Sequence, residues 1–131
     1  MAKPVELADV AAQLAVYGRL ATLVTVDADG SPHVGTVEVR LGPAGLEIAV
    51  GPSTRANIRA NPSVSLSWLR DGDDYQLIVD GIAVVVDDSG PDGLHAAENT
   101  VRSGILHRLA GRTDGPSCRH LGSAHPDVPT R

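Results

Sequence analysis

Between Leu20 and Val86 the sequence is cut by tight turns into short apolar segments, and links that short join strands as antiparallel neighbours. The turns are Asp27-Ala28-Asp29-Gly30, Gly42-Pro43-Ala44-Gly45 and Asp71-Gly72-Asp73-Asp74, built from residues that favour turn geometry. They predict strands over Leu20 to Val26, Pro32 to Leu41, Leu46 to Val50, Ser63 to Trp68 and Tyr75 to Val86. In the fourth, Val64, Leu66 and Trp68 alternate with Ser63, Ser65 and Ser67, the pattern of a strand with one buried face. Gly81, inside the long fifth strand, predicts a bulge or a close backbone approach.

Helices are expected at three points. Leu7, Val10, Leu14 and Tyr17 recur at steps of three and four, which predicts a helix from Val5 to Tyr17 stopped by Gly18. A short helix from Ser53 to about Asn61, with Ser53 as its N-cap, ends at Pro62. Leu94, Ala97, Val101, Ile105 and Leu109 form the stripe of a second long helix, with Asp92 as its cap. From Gly111 the chain is polar, with one short strand expected over Cys118 to Leu121. The organisation expected is a domain over 1–111 and a polar tail over 112–131. The fold class is α+β, mainly β: an antiparallel meander or barrel with flanking helices.

Composition narrows the function. With 131 residues the chain has room for one core. Its only aromatics are Tyr17, Trp68 and Tyr75, so that core must be built from Val, Leu, Ile and Ala. A net charge of −5, no basic run and no aromatic platform argue against a nucleic-acid partner. No apolar stretch approaches the roughly 20 residues of a membrane-spanning helix. The N-terminus lacks a signal layout, and the expected location is cytoplasmic. The single cysteine, Cys118, excludes an internal disulfide.

The segment Gly51-Pro-Ser-Thr-Arg-Ala-Asn-Ile-Arg-Ala-Asn-Pro62 carries the most chemical content. A strand ends and a helix begins there, which offers free backbone N–H groups and the positive end of a helix dipole. Ser53 and Thr54 add hydroxyls, and Arg55 adds a fork suited to phosphate. On the residues alone, a plain helix cap and a solvated charge are the commoner explanation of such a segment, ahead of an anion site.

Together with Leu20 to His33, its continuation Asn61 to Leu66, and the strand Tyr75 to Ala83 with its Gly81-Ile82-Ala83 pattern, this segment resembles the pyridoxamine 5′-phosphate oxidase-like flavin-binding split-barrel family. The resemblance runs in order from about Leu20 to Val86. It implies a split β-barrel, a homodimer with FMN at the subunit interface, and a small-molecule substrate. It places a phosphate at Ser53, Thr54 and Arg55, and a flavin ring along Thr36, Val37 and Glu38. It matches Arg40 to a basic position at the end of that strand, and sets Trp68 where a large side chain closes the groove or simply packs in the core. Two departures stand out: Gly35 and Thr54 occupy positions that are often basic in the family. The family's usual closing strands after the second long helix are hard to find. The deazaflavin coenzyme F-420 in the same groove, and a cofactor-free dimeric binding module, are the alternatives.

Other constellations are weaker. His107, Cys118, His120 and His125 suggest a metal, but Cys118-Arg119-His120 is too close-set for zinc and no second Cys exists, so none is expected. Nothing points to a base that would activate Cys118. A flavin enzyme leaves the redox chemistry to its cofactor, so the sequence names no catalytic residue.

Overall fold

The computed structural model describes residues 7–42, 45–87, 95–109 and 118–121. Its elements are α1 (Leu7–Tyr17), β1 (Leu20–Val26), β2 (Pro32–Leu41), β3 (Leu46–Val50), α2 (Pro52–Ala60), β4 (Ser63–Trp68), β5 (Tyr75–Asp87), β6 (His95–Arg108) and β7 (Cys118–His120). The strands are ordered β3-β2-β1-β4-β5-β6-β7, all antiparallel, and β3 also pairs with β6. That last pairing closes six strands into a barrel, and β7 extends β6 beyond it. The expected mainly-β fold with flanking helices is the one observed.

The turns act as their sequences require. Asp27 accepts the N–H of Gly30 (3.0 Å), and Gly30 takes the positive φ (86°) that a side chain would resist. Gly18 ends α1 at φ 94°, returning its N–H to Leu14 at 2.8 Å. Alternation then sends one face of each strand inward. Ala21, Leu23, Val39, Leu46, Ile48, Val50, Val64, Leu66, Leu77 and Val79 fill the barrel, joined by Val10 of α1 and Ile58 of α2. Burying each of the Val, Leu and Ile side chains stabilises by roughly 1.5–3 kcal/mol relative to exposure. Tyr17 ties α1 to the β4–β5 turn, its hydroxyl lying 3.1 Å from Asp73 Oδ2 and 3.2 Å from the Tyr75 carbonyl.

Two expectations are corrected. The segment read as a second long helix is the strand β6. Its residues 95–99 pair with β3 and nearly all of it, 96–108, with β5, because both strands present edges that only a further strand satisfies. Register shifts at Asp80/Gly81 and Val85/Asp87 break its alternation. The apolar residues at 97, 101 and 105 therefore fall four apart and imitate a helical stripe. Thr100, Val101 and Ile105 are β-branched, and that preference accords with the strand. The proposed cap Asp92 and the first stripe residue, Leu94, lie outside the described residues, as do residues 122–131. The barrel is thus closed by the very segment that reads as a helix.

The second correction concerns Ser53. The N-cap of α2 is Gly51, with no side-chain cap bond, and Pro52 takes the first helical turn. Pro suits that place because its missing N–H has no intrahelical partner there anyway. Ser53 lies two residues past the cap, inside the helix.

Gly81 meets its expectation. It lies at a register shift, and a Cβ there would collide with Asn99 Oδ1 and lie 2.5 Å from the Thr100 carbonyl. Only glycine lets β5 and β6 approach this closely.

Candidate functional site: a groove between β2 and the start of α2

β2 pairs with β1 over residues 32–38, but with β3 only through Val39, Arg40 and Leu41. Among the described residues, its 32–38 edge therefore faces no strand on the β3 side. A groove of about 190 Å³ opens there. Its walls come from β1 (Leu23, Thr25), β2 (residues 33–37) and the β3–α2 junction (Ala49, Val50, Gly51, Thr54).

The floor is fixed from below. Thr25 stands at an inward position of β1 where alternation would put an apolar residue, and it is 2% exposed. Its Oγ1 accepts a hydrogen bond from Asn57 Nδ2 at 3.2 Å, which pins α2 to β1 and sets the height of Thr54. On the opposite wall, His33 Nε2 lies 2.8 Å from Asp27 Oδ2. Asp27 Oδ1 accepts the backbone N–H groups of Asp29 (2.9 Å) and Ser31 (3.0 Å). These contacts, His33 foremost and then Ser31, hold the Asp27 carboxyl below its ordinary value of 3.8.

The structure gathers three of the eight residues singled out from sequence, Thr36, Val37 and Thr54, into this groove. Ser53 and Arg55 flank Thr54 on α2 without lining it. Ser53 is exposed and Arg55 is half-buried. Glu38 is exposed on β2 and lies 3.7 Å from Arg19, a surface pair worth at most about 1 kcal/mol. Arg40 is exposed and stands opposite Glu47 in the β2–β3 register. Trp68 is 1% exposed within the barrel core. Sequence reasoning missed Thr25 and His33. The signal for Thr25 was a hydroxyl in phase with Ala21 and Leu23, and that for His33 was an imidazole directly after a turn with a free carboxylate.

His33 is the one ionisable side chain among the described residues that line the groove. Hydroxyls of Thr25, Thr36 and Thr54 and the open backbone edge of β2 supply hydrogen bonds, between apolar walls from Leu23, Val34, Val37 and Val50. This donor set suits the edge of a planar heteroaromatic ring, with an anionic tail reaching the α2 N-terminus. At about 190 Å³ the groove is smaller than the roughly 300–1,000 Å³ of sites that enclose a ligand of that size. Among the described residues, no group of three or more His, Cys, Asp or Glu is placed to hold a metal ion, and His125 lies outside them.

A family description, pyridoxamine 5′-phosphate oxidase, matches residues 9–104. No curated protein matches the sequence. Solved structures with a similar fold include the heme storage protein HutZ from Vibrio cholerae, at TM-score 0.58 and 16% identity over 74% of this chain and 91% of that one. A heme-binding protein from Mycobacterium smegmatis aligns at TM-score 0.62 and 15% identity over 87% of this chain, which spans only 58% of that protein. A protein from Clostridium acetobutylicum described as of the pyridoxinephosphate oxidase family aligns at TM-score 0.61 and 12% identity, covering 75% of this chain and 85% of its own. At these identities the likeness is one of fold.

Proposed function

This chain belongs to the pyridoxamine 5′-phosphate oxidase family, and from that premise we propose that it is a homodimeric, FMN-binding oxidoreductase acting on a small molecule. The observation that carries the reading is the groove, which joins Thr36 and Val37 on the open edge of β2 to Thr54 at the start of α2. Those are the positions that the family resemblance assigns to the flavin ring and its phosphate. Bound FMN supplies the electron or hydride transfer, and the protein's part is to hold and orient it. Thr25, Thr36 and the β2 backbone would meet the ring's polar edge. Ser53, Thr54, Arg55 and the N-terminal amides of α2 would meet the phosphate. With Gly35 and Thr54 where basic residues often stand, Arg55 is the cation that this reading assigns to the phosphate. The deazaflavin coenzyme F-420 would use the same ring contacts.

A second reading rests on a specific observation: among the described residues, the groove's one ionisable side chain is an imidazole, and two proteins of similar fold are a heme storage and a heme-binding protein. His33, with Nε2 engaged by Asp27, would offer Nδ1 to a metalloporphyrin.

The test is an absorption spectrum of the purified protein, followed by titration with FMN, F-420 and hemin. Saturable FMN binding that Arg55→Ala weakens about 10- to 100-fold supports the primary reading. A Soret shift lost in His33→Ala favours the second. A colourless protein that binds none of the three leaves the cofactor-free module.

A further inference from the structure

The face of the sheet that points away from the barrel is as regular as the face inside it. The registers align Val34, Val24, Ser65, Asp80 and Ser103 in one row across β2, β1, β4, β5 and β6. The next row is Thr36, Thr22, Ser67, Ile78 and Ile105. These are small or β-branched side chains, so the surface is low and even, and it carries Val34 at 71% exposure. A hollow of about 330 Å³ sits on it, bordered by Val24, Val26, Ser65, Asp80, Ile82 and Arg102.

Two charged residues border the hollow, and they are of opposite sign. Asp80 is exposed, and its carboxylate accepts the hydroxyls of Ser65 (2.5 Å) and Ser103 (3.4 Å). Arg102 is exposed too, and it is the extra residue at the β5–β6 register shift, where Asp80 faces Ser103 and Gly81 faces Val101. Among the described residues neither has an ion-pair partner, although both border one hollow.

We infer that this face is the contact between two copies of the chain, locked by Asp80 of each copy against Arg102 of the other. A two-fold axis through the hollow uses each residue twice and pairs opposite charges, which makes the surface complementary to itself. Seating a second copy strips water from both groups, and an unpaired charge there would be costly. The pairing removes that cost and fixes the register of two otherwise smooth sheets. Val34 and Thr36 lie on this face and also line the groove, so a copy seated here covers the open side of the groove. The inference rests on the dimeric reading above and adds the face and the residues that make it.

The experiment is charge reversal, read by sedimentation velocity across a concentration series, with far-UV circular dichroism confirming the fold. Asp80→Arg and Arg102→Asp should each weaken dimerisation about 100-fold or more, since each change strikes twice across the axis. The combined Asp80→Arg/Arg102→Asp protein should recover the dimer to within about 10-fold of wild type. Arg102→Glu, a reversal at an exposed position with no ion-pair partner among the described residues, keeps the test available if Asp80→Arg misfolds. A dimeric wild type indifferent to either reversal overturns the inference alone and moves the contact elsewhere, for example to the open β2 edge. A wild type that stays monomeric at every concentration overturns it together with the dimeric reading.

Discussion

The inner and outer faces of the same strands solve different problems. On β1, Ala21, Leu23 and Thr25 point inward and are buried, while Thr22, Val24 and Val26 point outward and are half-buried. Inward, the strands carry Leu, Ile, Val and one Trp, interlocked around Leu46, Leu66 and Leu77. Outward, the same strands carry Ser, Thr and Val, with one acid and one base on the hollow. Large interlocking side chains suit a permanent core, whereas small ones leave a surface that a second sheet can meet without clashes. The groove sits where the two faces meet, at the open edge of β2.

That contrast predicts unequal responses to mutation. Trp68→Ala, on the inner face, should lower unfolding free energy by about 3–5 kcal/mol in a denaturant titration. Val34→Ser, on the outer face, should leave it within about 0.5 kcal/mol while weakening self-association. Equal losses at the two sites would break the comparison. Gly81→Ala tests the seam between β5 and β6. Its Cβ would collide with Asn99 and the Thr100 carbonyl, and a cost of about 1–3 kcal/mol is expected. Removing the Asn99 side chain in the same protein should relieve only part of it, because the carbonyl remains.

The smallest effect lies at the His33 wall of the groove. Asp27 is held below 3.8 in the folded protein, so its contribution to stability is complete above that pH. As the pH falls further, the unfolded chain takes up the proton first, and the contribution is lost as the pH passes the lower folded value. Thermal unfolding of wild type and Asp27→Asn between pH 5 and pH 2 should therefore converge at the acid end. A gap of constant size would remove the His33–Asp27 contact from the account.

Much of this architecture is legible in the sequence, and what is not has physical causes. The first five strands were readable because their turns carry glycine and aspartate where the backbone demands them, and Ser63 to Trp68 alternates without interruption. β6 was not. Two register shifts scatter its apolar residues, and its identity is set by the β3 and β5 edges that it satisfies, which lie far off in sequence. In the groove, Thr36, Val37 and Thr54 were accessible through family likeness. Thr25 and His33 needed the register, because one is a buried hydroxyl among apolar neighbours and the other is positioned by a carboxylate across a turn. Ser53 was misassigned as a cap because Pro52 can itself open the helix.

The central claim is that a groove too small to enclose a ligand becomes a flavin site when a second copy covers it. Sedimentation velocity followed at flavin absorbance, with FMN added to wild type and to Asp80→Arg, tests it most directly. The account predicts flavin sedimenting with the wild-type dimer and lost from the monomeric variant. Flavin travelling with the monomer at undiminished occupancy, or with no protein species at all, would contradict it.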